Sequence, residues 1–427
     1  MCRKVMGLLI LGVCAQVLIA DGSNKPGSFD WPQWQGPDRN AISRETGLLK
    51  KWPKEGPKLV WKTEKLGGGY SAPSISAGRI FGMSFRGQDE VVWALDEATG
   101  KELWSTRIAE AKEPKKPQGK EGSHCTPTVD GDVLYALGFY GDLVCLETAE
   151  GKERWHKNLV SDFKGNVPDW GYSESPLVDG DKVIVTPGAS AATLVALNKK
   201  TGEPIWKSSS PQGGRAHYSS VIVADVDGQR EYIQFLQKGV VGVAAEDGHF
   251  LWQMDQPANR VSNISTPIYS DHHVFAASAY GAGGALGKIN SSSKPEVIYA
   301  TKSMKNHHGG MILVDGYLYG ENGGNNETPS LVCLDFKTGK VMWEERKAGK
   351  GSLAYADGCL YYRDENGPML LVEANPKEYV ELSRFNQPER SKAKAWSHPV
   401  IANGKLYLRD QNVLFCYDIK QHNGARD

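Results

Sequence analysis

From residue 58 onward, short apolar and β-branched runs alternate with polar, glycine-bearing turns, and no stretch of useful length shows the apolar spacing of an amphipathic helix. The first unit sets the pattern. SAPSIS (71–76) turns at Ala77-Gly78 into RIFGMSF (79–85), a second turn leads to VVWALD (91–96), and Thr99-Gly100 leads into KELWSTRI (101–108). Each run has the length of a strand, and glycine tolerates the positive φ that tight hairpin turns demand. Asp96 adds a carboxylate able to accept backbone N–H bonds within its own turn. An almost entirely β protein is predicted.

The stretch ALDEATGKELW (94–104) returns as CLETAEGKERW (145–155), ALNKKTGEPIW (196–206), GVAAEDGHFLW (242–252) and CLDFKTGKVMW (333–343). Trp104, Trp155, Trp206 and Trp252 follow at intervals of 51, 51 and 46 residues, and 91 residues separate Trp252 from Trp343, room for two units. A period of this size predicts a propeller or solenoid rather than conventional domains. Eight inner strands can be counted, so the expected fold is an all-β, eight-bladed β-propeller of four-stranded antiparallel blades over residues 55–420. Blades 5 and 7 lack the turn-and-tryptophan signature, and blade 8 ends at LFCYDIK without an outer strand. KLVWKTEKL (58–66) has the composition of that missing strand, and its pairing with blade 8 would close the ring and hide both sheet edges. Residues 21–54 read as an N-terminal extension held on the propeller by Trp31, Trp34 and Trp52, and residues 421–427 as a tail.

These copies resemble the tryptophan-docking repeat of PQQ-type (pyrroloquinoline-quinone-type) β-propellers, a family that includes quinoprotein alcohol dehydrogenases and the BamB-type outer-membrane assembly lipoprotein. The resemblance covers roughly residues 55–420 and is specific for the fold. The motif itself belongs to the scaffold. An outer-strand indole can lie flat on the next blade with its N–H on a backbone acceptor, while glycine lets the two chains approach closely. Burying each tryptophan contributes on the order of 3 kcal/mol without any ligand.

The resemblance implies one of two functions: a non-catalytic binding or scaffolding module at the cell envelope, or a PQQ-dependent alcohol or sugar dehydrogenase with its site in the axial funnel. In the family's enzymes the quinone lies in the central funnel, chelates calcium through carboxylate and amide side chains, and has a carboxylate base nearby. Their alcohol dehydrogenases commonly bridge adjacent cysteines above the quinone. This chain has no adjacent cysteines, and DVDGQRE (225–231), its nearest approach to a calcium loop, reads as a hairpin turn. The binding module is therefore the expected function, with no assigned cofactor and calcium-bound PQQ as the alternative. Its expected partner is a protein or a small polar ligand at the axial face, and the chain is expected to be a monomer.

Composition narrows the setting. The 427 residues are 40% hydrophobic and 23% charged, ample for a core. Arg3 and Lys4, an apolar run too short to span a bilayer, and Ala20 before a polar stretch make residues 1–20 a cleaved export signal, which predicts a periplasmic or envelope location. Cys14 is the alternative as a lipid attachment site, although Val13 is bulky for cleavage there. Without the signal, 48 basic residues face 50 acidic ones, so charge gives no case for nucleic acid as a partner. The five remaining cysteines are scattered, which argues against zinc, thioredoxin-type and covalent haem sites. Cys145, Cys333 and Cys416 stand where other repeats have Ala or Val and read as small core residues.

A ligand site is expected where each chain enters its inner strand, at the mouth of the funnel. That slot supplies Tyr70, His124, Tyr172, Glu174, His217, Tyr218, Asn263, His307, His308, Trp396 and His398 as candidate ligand-binding residues. Five of the ten histidines fall in it, on blades 2, 4, 6 and 8. One reading is a polar, aromatic-lined pocket able to hydrogen-bond and protonate a ligand near neutral pH. The other is that these side chains satisfy backbone groups while filling space. Adjacent His307 and His308 should point apart in an extended chain and are poor joint metal ligands. AYGAGGALGK (279–288) and NGGNNET (322–328) read as polar loops on the same face. No Ser-His-Asp order stands out, and Glu174 and Asp410 are isolated carboxylates that only the fold could bring together.

Overall fold

The computed structural model describes residues 29–112, 121–212, 214–290, 293–324 and 327–422. The expected export signal and Cys14 lie outside these residues. Among the described residues thirty-two strands form eight four-stranded antiparallel sheets, and the one α-helix is the five-residue Leu159–Phe163. Seven sheets are each built from four consecutive strands, running from the axis outward. The eighth takes three strands from the C-terminal end of the chain and its outer strand from near the beginning. Lys58–Thr63 pairs antiparallel with Val413–Asp418, from Lys58 opposite Asp418 to Thr63 opposite Leu414. The ring is closed by the segment the sequence singled out.

The turn, the small residue and the tryptophan of the repeat each have a physical explanation. Asp96 Oδ1 accepts the Thr99 N–H at 2.9 Å and the Thr99 hydroxyl at 2.6 Å, and Gly100 follows in the left-handed region at φ +69°. This turn puts a one-residue bulge into the outer pair, and the bulge recurs at the equivalent place in blades 1, 2, 3, 4 and 6. Just before it a small residue lies across from the indole: Ala94 opposite Trp104, Cys145 opposite Trp155, Ala196 opposite Trp206, Gly242 opposite Trp252, Cys333 opposite Trp343. In blade 8, Cys416 faces Trp61. Cys145, Cys333 and Cys416 are spacers beside the docking ring.

The ring reaches the next blade. Trp61, Trp104, Trp155, Trp206 and Trp343 donate their Nε1–H to the carbonyls of Glu97, Thr148, Lys199, Ala245 and Asn375, at 2.7–3.2 Å. In the first four of these the turn glycine of the next blade lies against the indole face. Blade 5, which lacks a tryptophan, uses Tyr299, whose hydroxyl donates to Phe336 O at 2.8 Å over Gly339. Trp252 departs from the pattern and donates within its own blade to Glu231 Oε2 at 2.7 Å.

The N-terminal extension crosses the axial channel. Trp31 exchanges both backbone hydrogen bonds with Ile75 of blade 1, and Pro32 O accepts from Val129 N of blade 2. Arg39 donates to Ser175 O and Pro176 O at the entry to the blade 3 inner strand, and residues 41–43 pair with Tyr355 of blade 7. Trp34 Nε1–H reaches Thr266 Oγ1 of blade 5 at 2.9 Å. Trp31 and Trp52 are buried, as their aromatic character suggested, and the segment closes the channel at one end.

Two glycines of blade 2 separate docking from turn geometry. Gly131 and Gly151 both have positive φ, at +63° and +71°, but a Cβ on Gly131 meets nothing within 4 Å while one on Gly151 lies 2.5 Å from the Trp104 ring. Gly131→Ala should cost about 1–2 kcal/mol from backbone strain alone. Gly151→Ala should cost about 1–3 kcal/mol more through overpacking, read as the difference in chemical-denaturation midpoints at equal m-value.

Candidate functional site

An axial pocket of about 240 Å³ opens at the end opposite the crossing segment. Of the candidate residues, Tyr70, His124, Tyr218, His307, His308, Trp396 and His398 line it. The chain enters each inner strand extended, so alternate residues face the lumen. This spacing puts Tyr218 with Ser220, Ile264 with Ser262 and Thr266, His308 with Gly310, and Trp396 with His398 on the wall. Ser173 joins them as the counterpart of Tyr70 and His124 in blade 3.

The same alternation explains the candidates that are not in the lining. Tyr172, Glu174, His217 and Asn263 point into the wall, where each has a structural partner. The Tyr172 hydroxyl donates to Pro187 O at 3.0 Å. Glu174 accepts from the Thr186 hydroxyl at 2.7 Å and from Gln234 at 3.1 Å. His217 Nδ1 accepts the Asn263 N–H at 3.0 Å, and Asn263 Nδ2 donates to Leu236 O at 2.8 Å. Asp410 is held by Arg390, Ser391 and Gln387, so it does not converge with Glu174.

Three aromatic walls escaped the sequence reading. Trp34 forms the floor, 4.7 Å from the His398 ring, and comes from the extension rather than the repeats. Trp170 packs edge-on to Tyr218, and Tyr280 edge-on to His307. Both sit in irregular turns outside the slot; for Trp170 aromatic identity was the available signal, and Tyr280 lies in the AYGAGGALGK stretch already assigned to that face. The AYGAGGALGK stretch also differs from expectation: Gly283–Asn290 is a strand of blade 5, and its Gly284 lies under the Phe275 ring. His307 and His308 do not splay apart. The chain bends there, leaving their ring centroids 3.8 Å apart, and His308 stacks on Trp396 at 4.0 Å.

Burial lowers the pKa of all five histidines, which favours the space-filling alternative over protonation of a ligand near neutral pH. It pushes His124, with the Arg409 guanidinium nearby, down to about 4, and lowers His217 and His398 to about 4. His307 is lowered to about 3 by burial and by Lys350, whose ammonium donates to His307 Nδ1 at 2.7 Å. His308 falls well below the ordinary value through burial and the surrounding basic groups. Although His124 and His308 keep a partly accessible edge on the pocket, the direction is the same for all five. Around pH 7 the wall is neutral.

Hydrogen bonding fixes part of its polarity. His398 Nε2 lies 2.8 Å from the His308 carbonyl and must donate, which leaves Nδ1 as a lone-pair acceptor. That nitrogen, His124 Nε2, His308 Nδ1 and Ser262 Oγ are buried without a protein partner. His124 Nδ1 pairs with Ser173 Oγ at 2.9 Å, but no carboxylate orients the ring from its other nitrogen.

A ring of eight blades fastened by indoles around a one-ended axial pocket defines a PQQ-like β-propeller. The family described as "Outer membrane protein assembly factor BamB" matches residues 34–114 and 88–345, and the chain belongs to it. It is 26% identical over 193 residues to the outer membrane protein assembly factor BamB of Kangiella koreensis, covering 44% of this chain and 43% of that protein. The chain spans about half the length of the first curated relatives it matches, 43% and 46%. Among solved structures it is similar to BamB from Moraxella catarrhalis, with a TM-score of 0.58 at 15% identity over 86% of this chain and 99% of that one. It is also similar to quinohemoprotein alcohol dehydrogenase from Comamonas testosteroni, with a TM-score of 0.64 at 12% identity over 93% and 82%. Both structural likenesses concern the fold.

Quinone binding with calcium, as the resemblance describes it, calls for carboxylate and amide oxygens. Among the described residues the pocket lining contains no Asp, Glu, Asn or Gln. The donor set does not fit that group.

The depressed histidines carry a pH signature. Above about pH 7.5 both folded and unfolded imidazoles are neutral; as pH falls through 6.5 toward 4 the unfolded chain takes up protons that the folded ring refuses, so stability falls. Buried Glu90, Glu174 and Glu321, raised by desolvation to about 7, 7 and 8, act in the opposite sense over the acid range, which makes a difference measurement necessary. His398→Phe should lose about 2 kcal/mol less than the parent between pH 6.5 and 4.5, measured by chemical denaturation. Parallel pH profiles would show that His398 titrates normally in the folded state.

Proposed function

We propose that the protein is a non-catalytic binding or scaffolding module of the cell envelope, acting through its axial pocket and the loop face around it. The observation that carries this reading is the chemistry of the lining: aromatic faces, hydroxyls and neutral imidazoles, without a carboxylate or a complete nucleophile–base–acid set among the described residues. The Ser173–His124 pair alone is a weak catalytic device, because an imidazole lowered to about 4 is a poor base at neutral pH. Membership of a family described by an outer-membrane assembly factor supports an envelope setting and a protein partner. No helix among the described residues is long and apolar enough to cross a membrane, which accords with peripheral attachment.

The competing class is a quinone-dependent alcohol or sugar dehydrogenase. Purified chain beginning at residue 21, supplied with PQQ and calcium, should neither retain stoichiometric quinone absorbance after desalting nor drive dye-linked oxidation of alcohols or sugars. Stoichiometric retention with turnover would overturn the proposal. Cell fractionation should place the protein with the envelope, and recovery in the cytosol alone would count against the setting.

A further inference from the structure

We propose that the axial pocket is a binding site for a single pyranose ring, free or at the end of a glycan. This inference deepens the binding-module reading and rests on it. Size is the first argument. Drug-sized ligands occupy clefts of roughly 300–1,000 Å³. A pocket of about 240 Å³ takes something smaller, on the scale of one ring with its substituents.

Surface chemistry is the second. Trp396, backed by the stacked His308 ring, stands 5.1 Å from Tyr70, and Trp34 forms the floor. Aromatic faces carry the negative side of the ring quadrupole and attract the weakly positive C–H bonds of a saturated, oxygen-substituted ring. Hydroxyls of Ser173, Ser265 and Thr266 share the lining with these rings; Ser265 donates to Asn306 Oδ1 and keeps acceptor capacity, while Thr266 accepts from Trp34 and keeps its proton to donate. A pyranose presents the same two features: C–H faces and a rim of hydroxyls.

The unpartnered atoms point the same way. His398 Nδ1 is a bare acceptor, and His124 Nε2, His308 Nδ1 and Ser262 Oγ lack protein partners just beneath the pocket surface. Leaving such groups unsatisfied is costly, and small side-chain rotations of the kind common on binding would bring them to a hydroxyl-rich ligand. A planar quinone bearing carboxylates supplies mostly acceptors and leaves the His398 Nδ1 lone pair without a donor.

Charge excludes the other usual guest of an aromatic cage. A quaternary ammonium sits over aromatic rings and gains from a nearby carboxylate. Here no carboxylate faces the lumen among the described residues: Glu365 accepts the Trp396 Nε1–H from behind the wall and is paired there with Lys350 and Lys394, while Lys350 and Arg409 disfavour positive charge on His307 and His124. The pocket favours a neutral guest.

The test uses chain beginning at residue 21, titrated with the methyl glycosides of glucose, galactose, mannose and N-acetylglucosamine and with the corresponding free sugars. Saturation-transfer NMR and tryptophan fluorescence are the readouts, with adenine, tetramethylammonium chloride and PQQ as comparators. At least one sugar should bind saturably, with transfer strongest to its ring C–H protons. Trp396→Ala or Trp170→Ala should weaken that binding about tenfold, the loss of one stacked ring, with the melting temperature confirming that the variant is folded. Binding of methyl glycosides would assign the terminal residue of a glycan, and binding of free sugars alone a free monosaccharide. Failure of every sugar to bind, displacement of a bound sugar from neither variant, or selective binding of adenine or tetramethylammonium would overturn the inference. Oxidation of a bound sugar in the presence of PQQ would overturn the non-catalytic reading and leave the pyranose site standing, whereas no sugar binding and no turnover would do the reverse.

Discussion

The structure depends on one contact, made again and again: an indole on the outer strand of one blade, its N–H on a carbonyl of the next and its face against a turn glycine. Blade sheets share no backbone ladder, so neighbours are held by this contact and the buried faces at the periphery and by isolated hydrogen bonds near the axis. Its demands account for the repeat. A tight turn with glycine in the left-handed region gives the indole a flat seat, and a small residue across the strand gives it room. The substitution of Tyr299 for tryptophan works because a phenol also combines a flat face with a polar tip.

Rigid seating at the periphery has its effect at the axis. Because neighbouring blades are fixed, inner-strand entries converge at constant spacing and leave a cavity rather than collapsing. Polar groups behind that wall are tied to one another: Arg409 of blade 8 donates to Ser71 O and Met83 O of blade 1, and Arg363 of blade 7 donates to Ser397 O and Arg409 O of blade 8. These fully buried guanidiniums bond the backbone of the neighbouring blade and do not enter the lumen. The pocket is left with neutral chemistry, shaped by desolvation as much as by residue choice.

The blade count, the closing strand at Trp61 and the small-core character of Cys145, Cys333 and Cys416 were legible in the sequence because each is written locally, in a period, a turn signature or an equivalent repeat position. The pocket was half legible. Choosing residues by type within the slot found His124 and Tyr218 but also took in Tyr172, Glu174, His217 and Asn263, since identity does not give the phase of an extended strand. The crossing segment was illegible as a floor: Trp34 and Arg39 find partners 232 and 137 residues away, at contacts that no local pattern encodes. The neutrality of the histidines was hidden for a related reason, because desolvation belongs to the assembled wall and not to the residue.

The floor and the far wall of the pocket come from opposite ends of the chain. Trp34 lies near the start of the described residues and His398 in the last blade, yet their rings meet 4.7 Å apart. A chain emerging from its amino terminus has no site for any guest until the final blade is laid down and the early strand is zipped beside it. The lining is therefore complete only in a finished ring: a chain without its last blade lacks Trp396 and His398, and with them one wall of the cavity.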